Sequence, residues 1–528
     1  MTQLRPGLEL IDVKKWTNKH ENFTKRFSSP RSYKLRNPKQ GEASIKRYNA
    51  TSDNIKFLIQ DAISHQVEIR AIGRGWSFTE ISFGNNGFVD TLSLRLAMKL
   101  SIRNIHLDFS NRGLTSDDVR FFQCGNSILS INDLLERRLG AKRSIMASGA
   151  SNGQTIAGAT STGTHGAAFR FGAVHDAIRG LHIITGQDSH VYIERKSHRV
   201  VSDTFIQAIG SPTHIVDDEA FNAAVVSFGS FGIIHGILLQ TEPIFLLEKY
   251  RHRVSYNQSI KSALNTLDFN AFQLRSSGHA AAELYHFQVL INPYNLANNK
   301  KGVYITYMYK IPYVDRPSIS LKDRGYTYGD DTLSVVAKLL SLVPIPLNRL
   351  AIKTAVNLIV RGQYPSGTSY PWIGTMGESF SYTSLKGKTA SCAIGFDMSS
   401  TSRVLDYILE IIDQAIPFVG VIALRYVKGT KATLGFTRFP TTCVLEMDGV
   451  DTPRSRVFFD KVCEKLTAEN ISFTLHWGKL NDYLDQKPLS HFYPVSQIDS
   501  WKKIRTKLLP SAQQRAVFTN DFLRAILP

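Results

Sequence analysis

A chain of 528 residues is longer than one hydrophobic core usually supports, so at least two cores are expected. Its 43% hydrophobic and 20% charged residues, with modest Pro and Gly, exclude extensive disorder. A formal charge of +19 favours anionic partners. However, Lys and Arg are scattered along the chain and no zinc finger or RNP aromatic pair accompanies them, so no nucleic-acid partner is expected.

The amino terminus, MTQLRPGLELIDVKKW, has no apolar run of the secretory kind, and a cytoplasmic setting is expected. Residues 1–45 are polar and basic and read as an arm or a peripheral helix with little function. Helical spacing from Asn54 to His65 is followed by strands at Val67 to Ile72 and Phe88 to Leu92, separated by a glycine turn. A strand at Val119 to Cys124 then leads into a helix at Ile131 to Leu139, an α+β rhythm.

Between Ser148 and Gly172 the chain is rich in Gly, Ser, Thr and Ala, as where backbone must approach something closely. Strands recur at Ile178 to Thr185, His190 to Glu194 and Ile233 to Thr241, and a domain boundary is placed near Glu242. Beyond it come strands at Tyr285 to Ile291 and Val303 to Tyr309, and a helix at Ser402 to Ile416. The apolar stretch 332–360 is broken by Lys338, Arg349, Lys353, Pro344 and Pro346, so it does not span a bilayer. It suits a buried core helix or, as a cationic amphipathic element, a peripheral membrane contact. Cys124, Cys392, Cys443 and Cys463 have neither CxxC nor metal-ligand spacing, so reduced thiols and no metal are expected.

Two glycine segments carry the chemistry. In IRAIGRGWSF a strand delivers Gly73, Arg74, Gly75, Trp76, Ser77 and Phe78 into a turn whose N–H groups could converge on phosphate oxygens or simply close a tight turn. A dinucleotide fingerprint would need a glycine where Phe78 stands, so the Rossmann reading fails. In GASNGQTIAGATSTGTHG, Gly149 to Gly166, hydroxyls of Thr155, Thr160, Ser161, Thr162 and Thr164 accompany the glycines, a donor set suited to pyrophosphate. The same run contains GxSxG at Ser151, a hydrolase nucleophile motif, although the residues after it make a poor helix.

Taken in order, VEIRAIGRGWSF, QTIAGATSTGTHG with AVHDAIRGLHIITG, FGSFGIIHGILLQTEP and the late HWGK resemble the vanillyl-alcohol oxidase type of FAD-binding (PCMH-type) oxidoreductase, in its aldonolactone and alditol oxidase branch. The resemblance is strong over residues 45–245 and loose in the middle of the chain. It implies an α+β fold: an arm over 1–45, a two-lobed FAD-binding domain over 46–242, a mixed-sheet substrate cap over 243–470, and a segment over 471–528 that returns to the FAD domain with HWGK. It assigns FAD contacts to Gly73, Arg74, Gly75, Trp76, Ser77, Phe78, Thr155, Thr160, Ser161, Gly163, His165, Gly166 and Ile234, with Gly229 to Gly232 on the adenine side.

Many members of that family bond the flavin covalently through a His where this chain has Trp76, so the resemblance implies noncovalent FAD. It implies catalytic roles for Lys479 as a cation near the reacting groups, for Arg425 as a second one, and for His476, which would orient Lys479 or accept the hydroxyl proton. Relatives often pair that Arg with a Glu two residues earlier, a place held here by Ala423. The implied reaction is hydride transfer from a CH–OH carbon of a small-molecule alcohol (sugar lactone, alditol or sterol-like) to flavin N5, with oxygen or another electron acceptor. The alternatives are a serine hydrolase using Ser151 and a flavin-binding module without turnover.

Overall fold

The computed structural model describes residues 2–527 except 28–29, 39, 150–151, 276–277, 281–282, 298–299, 318–334, 337–338, 340–347, 365–370, 381–387 and 415. Among the described residues three large sheets organise the chain. The first has five strands in the order Thr2–Arg5, Leu8–Ile11, Ser32–Leu35, Gly87–Asp90 and Ile69–Ile72, the last three running parallel. Helix Ser44–Ser64 covers it, because Ile55, Leu58, Ile59 and Ala62 recur at helical spacing and pack on Tyr33, Leu35, Ile69 and Val89. Burying each such aliphatic side chain contributes about 1.5–3 kcal/mol.

Residues 1–45 therefore differ from the expected arm or peripheral helix: three of their strands belong to the first sheet, and a hairpin forms between Lys15–Thr17 and Thr24–Arg26. Short strands such as TQLR and LELI are too brief for periodicity to reveal, and pairing with distant strands decides them.

The second sheet runs Thr213–Val216, His190–Glu194, Ile178–Ile184, Ile233–Pro243, Val119–Gln123 and Ala97–Lys99, with Arg143–Ile145 on the far end of Ile233–Pro243. The near-continuous apolar run of Ile233–Pro243 matches its burial over most of its length. At Pro243 the chain leaves this sheet, and Phe245 opens the first long strand of the third.

That third sheet orders Trp372–Gly374, Phe245–Val254, Val303–Pro312, Leu284–Ile291, Gly420–Lys428, Thr441–Val450, Thr389–Asp397 and Phe473–Leu475. Helices Thr401–Gln414 and Pro453–Ala468 supply Val404, Leu405, Ile408, Phe458 and Val462 to its apolar cluster. Thr452 caps the second of these by accepting from the Ser455 N–H, and Pro453 suits the first turn, where an N–H would have no partner. After Leu475 the chain runs back: helix Val495–Leu508 packs on helix Asp218–Val225, and the Trp501 indole N–H donates to the Val226 carbonyl at 3.3 Å.

Much of 332–360 lies outside the described residues. Helix Arg349–Gln363 is described and buries Ile352, Val356 and Val360, leaving Leu350 and Leu358 exposed. Among the described residues no helix is long and apolar enough to cross a membrane.

Candidate active site

Strand Ile69–Ile72 delivers the first glycine turn against the second glycine loop, and the two interlock without room for side chains. A Cβ on Gly73 would fall 2.2 Å from the Thr155 hydroxyl, and one on Gly153 would fall 2.3 Å from the Trp76 ring. Gly75 has φ +69°, a left-handed conformation, and its missing Cβ leaves space for Trp16. From the carboxyl-terminal side the Gly478 carbonyl accepts from the Phe78 N–H at 3.0 Å, so HWGK is tied directly to the first turn.

The resulting cavity encloses about 1400 Å³ of atom-free space, its open mouth included. Gly73, Arg74, Gly75, Trp76, Ser77, Phe78, Thr155, Ser161, His165, Ile234, Arg425, His476 and Lys479 all line it, bringing together segments far apart in sequence. Gly229 and Gly232, both at positive φ, line it too. Thr160, Gly163 and Gly166 are not among its lining residues. Thr160 is fully buried on the short helix Ile156–Ser161, Gly163 turns the chain at φ +77°, and Gly166 passes so close to Ser148 that a Cβ would meet the Ser148 carbonyl oxygen at 1.9 Å. These three shape the loop from behind.

Ser151, the hydrolase candidate, lies outside the described residues. The run after it does form a helix, Ile156–Ser161, against the sequence expectation. That helix begins several residues too late to follow a nucleophile elbow directly.

The catalytic candidates form one buried polar network. Lys479 Nζ lies 3.0 Å from Glu446 Oε1 and 3.9 Å from Asp448 Oδ1, and donates to Ser391 Oγ at 2.6 Å. Arg425 pairs with the other oxygen of Glu446 and donates through Nε to Gln288 Oε1 at 3.0 Å. His165 Nε2 is 3.9 Å from Glu446 Oε1. Glu446 thus holds two cations and faces a histidine.

Burial works against charge on Lys479, but Glu446 and Asp448 outweigh it and hold the ammonium above its usual value. Burial likewise opposes the Glu446 carboxylate; Arg425 and then Lys479 reverse this and keep it well below the usual carboxylate range. Burial lowers His165 to about 4, with Glu446 pulling upward and Arg425 downward. His476 is pushed well below its usual value by burial, then by His165 and Lys479. At neutral pH Lys479 is a cation, His165 and His476 are neutral imidazoles and Glu446 is a carboxylate.

His476 departs from one expected role. The Gly478 N–H can only donate, and it donates to His476 Nδ1 at 3.0 Å, so the neutral ring carries its proton on Nε2. In that tautomer Nε2 offers a hydrogen bond and does not accept the hydroxyl proton.

Sequence reasoning missed Glu446, Asp448, Ser391, Gln288 and His20. Glu446 and Asp448 had a signal: two acids at alternate positions of the otherwise apolar strand Thr441–Val450, pointing to one buried face. His20 had none, because it sits in the hairpin loop read as an arm.

No protein-family model matches the chain. It is 22% identical over 473 residues to an L-gulono-1,4-lactone dehydrogenase of Mycobacterium tuberculosis, covering 89% of this chain and 92% of that protein. A D-arabinono-1,4-lactone oxidase of Candida glabrata is 28% identical over 160 residues, 30% of this chain and 26% of that one. L-gulonolactone oxidase 3 of Arabidopsis thaliana is 22% identical, with 90% of this chain and 80% of that protein covered. Among solved structures, cholesterol oxidase from B. sterolicum superposes with a TM-score of 0.65 at 13% identity, covering 99% of this chain and 98% of that one. A xylooligosaccharide oxidase from Myceliophthora thermophila gives 0.56 at 12% identity, covering 96% and 93%. The chain has the α+β fold of these oxidases.

Proposed function

We propose that this chain is an FAD-dependent oxidoreductase of the vanillyl-alcohol oxidase type that oxidises a CH–OH group of a lactone, alditol or sterol-like alcohol, with its flavin held noncovalently. The observation that carries this reading is the bond between the Phe78 N–H and the Gly478 carbonyl, which brings the glycine turn and Lys479 to one cavity. The residues present suit a flavin dinucleotide. Trp76 and Gln154 line the cavity, and their buried Nε1 and Oε1 atoms lack hydrogen-bond partners within the protein.

In this reading Gly73 to Phe78, Thr155, Ser161, His165 and Ile234 hold the cofactor, and residues 46–242 carry it beneath a cap over 243–470. When bound, FAD supplies the hydride acceptor and passes the electrons on to oxygen or another acceptor. Lys479 stays protonated and sets a fixed positive charge where the alcohol oxygen becomes negative, worth about 3–4 kcal/mol for one well-placed donor. Arg425 adds a second charge, and Glu446 keeps the pair from repelling each other. His476 donates through Nε2 and fixes the Gly478 backbone through Nδ1. An indole at Trp76 cannot form the link that an imidazole forms at that place.

The four cysteines are free and buried, which supports a reducing, cytoplasmic setting. Exposed Leu350 and Leu358 beside Lys353 and Arg361 support a peripheral membrane contact.

Purified protein is expected to be yellow, and acid precipitation to leave the flavin in the supernatant. Anaerobic titration with L-gulono-1,4-lactone, D-arabinono-1,4-lactone, xylobiose and cholesterol should bleach it with one of them, and air should restore the colour if oxygen is the acceptor. Colourless protein that takes up no FAD would falsify the proposal. FAD binding without bleaching by any alcohol would favour a module without turnover.

A further inference from the structure

The hairpin loop 18–23 is latched from two sides. Asn18 Nδ2 donates to the Ser77 carbonyl at 3.0 Å, and the Lys19 N–H donates to the Gly75 carbonyl at 2.9 Å, fixing the loop to the glycine turn. On the other side Asn22 Nδ2 donates to the Thr389 carbonyl at 2.6 Å and to Asp451 Oδ2 at 2.8 Å, fixing it to the third sheet. A loop held at both ends places its middle residue with little freedom.

That residue is His20, only 1% exposed, and it lines the cavity. Its ring stacks on Phe78, centroids 4.1 Å apart and planes 7° from parallel, and meets Trp76 edge-on at 5.4 Å. Aromatic contacts on two sides set the ring plane. Neither ring nitrogen has a hydrogen-bond partner of good geometry within the protein. Only a weak contact with the Trp76 backbone offsets this, so the buried imidazole is poorly paired, and a ligand that hydrogen-bonds it removes a cost.

On the reading given under Proposed function, we infer that His20 is a substrate-binding residue that holds the hydroxyl group of the alcohol through a hydrogen bond to one ring nitrogen. Burial, and then the charges of Lys479 and Lys19, lower its pKa to about 3 against a weaker upward pull from the Trp76 backbone, so the ring is neutral at neutral pH. A neutral imidazole offers an N–H at one nitrogen and a lone pair at the other, and a hydroxyl, which both donates and accepts, can pair with either. Lys479 acts on His20 through its charge and lies 5.9 Å from the centre of the Phe78 ring that stacks on His20, and both groups line the same cavity. The cation would face the alcohol oxygen while His20 holds the O–H in line. The imidazole stays a hydrogen-bond partner, because a full positive charge beside Lys479 is unfavourable.

The test uses FAD-loaded native protein, His20→Ala and His20→Asn. FAD affinity is read by titrating apoprotein. Alcohol affinity is read from the anaerobic change in flavin absorbance with whichever of L-gulono-1,4-lactone, D-arabinono-1,4-lactone, xylobiose or cholesterol bleaches the native protein. His20→Ala is expected to hold FAD as the native chain does and to weaken alcohol binding about tenfold or more, the loss of a buried hydrogen-bond pair. His20→Asn keeps one donor and one acceptor and should recover most of that affinity. Unchanged alcohol affinity in His20→Ala overturns the inference, as does loss of FAD from both variants, which would make His20 a cofactor or structural residue. A native chain that takes up no FAD overturns the parent reading itself.

Discussion

Ala423 and Glu446 stand directly opposite each other in the antiparallel pair Gly420–Lys428 and Thr441–Val450. Opposed residues share a face, as do residues two apart on one strand, so Ala423, Arg425 and Glu446 all point the same way. The acid missing from position 423 is supplied from the neighbouring strand, and it still reaches both Arg425 and Lys479.

This exchange can be tested by moving the carboxylate. Glu446→Ala removes the carboxylate that the buried Arg425 and Lys479 share and is expected to cost about 3–5 kcal/mol, read as a lowered unfolding midpoint of the holoprotein. Adding Ala423→Glu puts a carboxylate back on the same face beside Arg425 and should restore much of the loss. A double variant no more stable than Glu446→Ala would mean that the strand, and not merely the face, is required.

Lys479→Met tests the cation separately. Glu446 keeps its Arg425 partner in this variant, so the fold should survive and FAD should remain bound. The rate of flavin reduction is expected to fall about 10²- to 10³-fold, with kcat and kcat/KM falling together, because the interaction strengthens only as charge develops on the substrate oxygen. Rapid-mixing measurement of flavin bleaching checks it. A loss confined to KM would reassign Lys479 to ground-state binding.

The glycine-rich wall of the cavity was legible because its determinants are local. Gly73 to Phe78 and the Thr-rich run declare themselves through residues that only close backbone approach requires, and their spacing survives in a single chain. The longer elements were legible by periodicity, as in His190–Glu194, whose limits agree with expectation. The groups that Lys479 and Arg425 meet were not legible, nor was His20. Glu446 reaches Arg425 through sheet register, and His20 reaches the cavity through a hairpin whose strands are three residues each. Both depend on pairings between distant segments, which composition and periodicity do not encode. Short pairing-driven strands also explain why residues 1–45 read as an arm.

Gly163 and Gly166 are expected to respond differently to the same substitution. Gly163→Ala meets only the Phe436 Cβ at 3.7 Å, so its cost is the left-handed backbone alone, about 1–2 kcal/mol. Gly166→Ala drives a Cβ into the Ser148 carbonyl oxygen, a backbone atom that cannot swing aside. FAD content per chain should stay near native in the first variant and fall sharply in the second, with a correspondingly lower unfolding midpoint. Equal behaviour would show that the loop can relax around Ser148.

The buried imidazoles fix the sign of the acid response. Burial lowers His165 to about 4 and His235 and His286 to about 3, from a usual value of 6.5. Between those values and 6.5 the unfolded chain binds more protons than the folded one, so stability rises with pH across that window and is lost as pH falls through it. Above it these groups are neutral in both states and contribute no slope. One such histidine removes about 3–5 kcal/mol over the window. Glu446, held below its usual value, adds its own loss only at lower pH, once its unfolded counterpart has begun to protonate. The unfolding midpoint of the holoprotein should therefore be nearly flat from about pH 7 to about pH 8 and drop steeply below about pH 6. His235→Asn, which keeps polar atoms beside Ser52 and Gln123, should make that drop shallower. A midpoint that climbs as pH is lowered from about 7 to about 5 would require these rings to be charged in the folded chain.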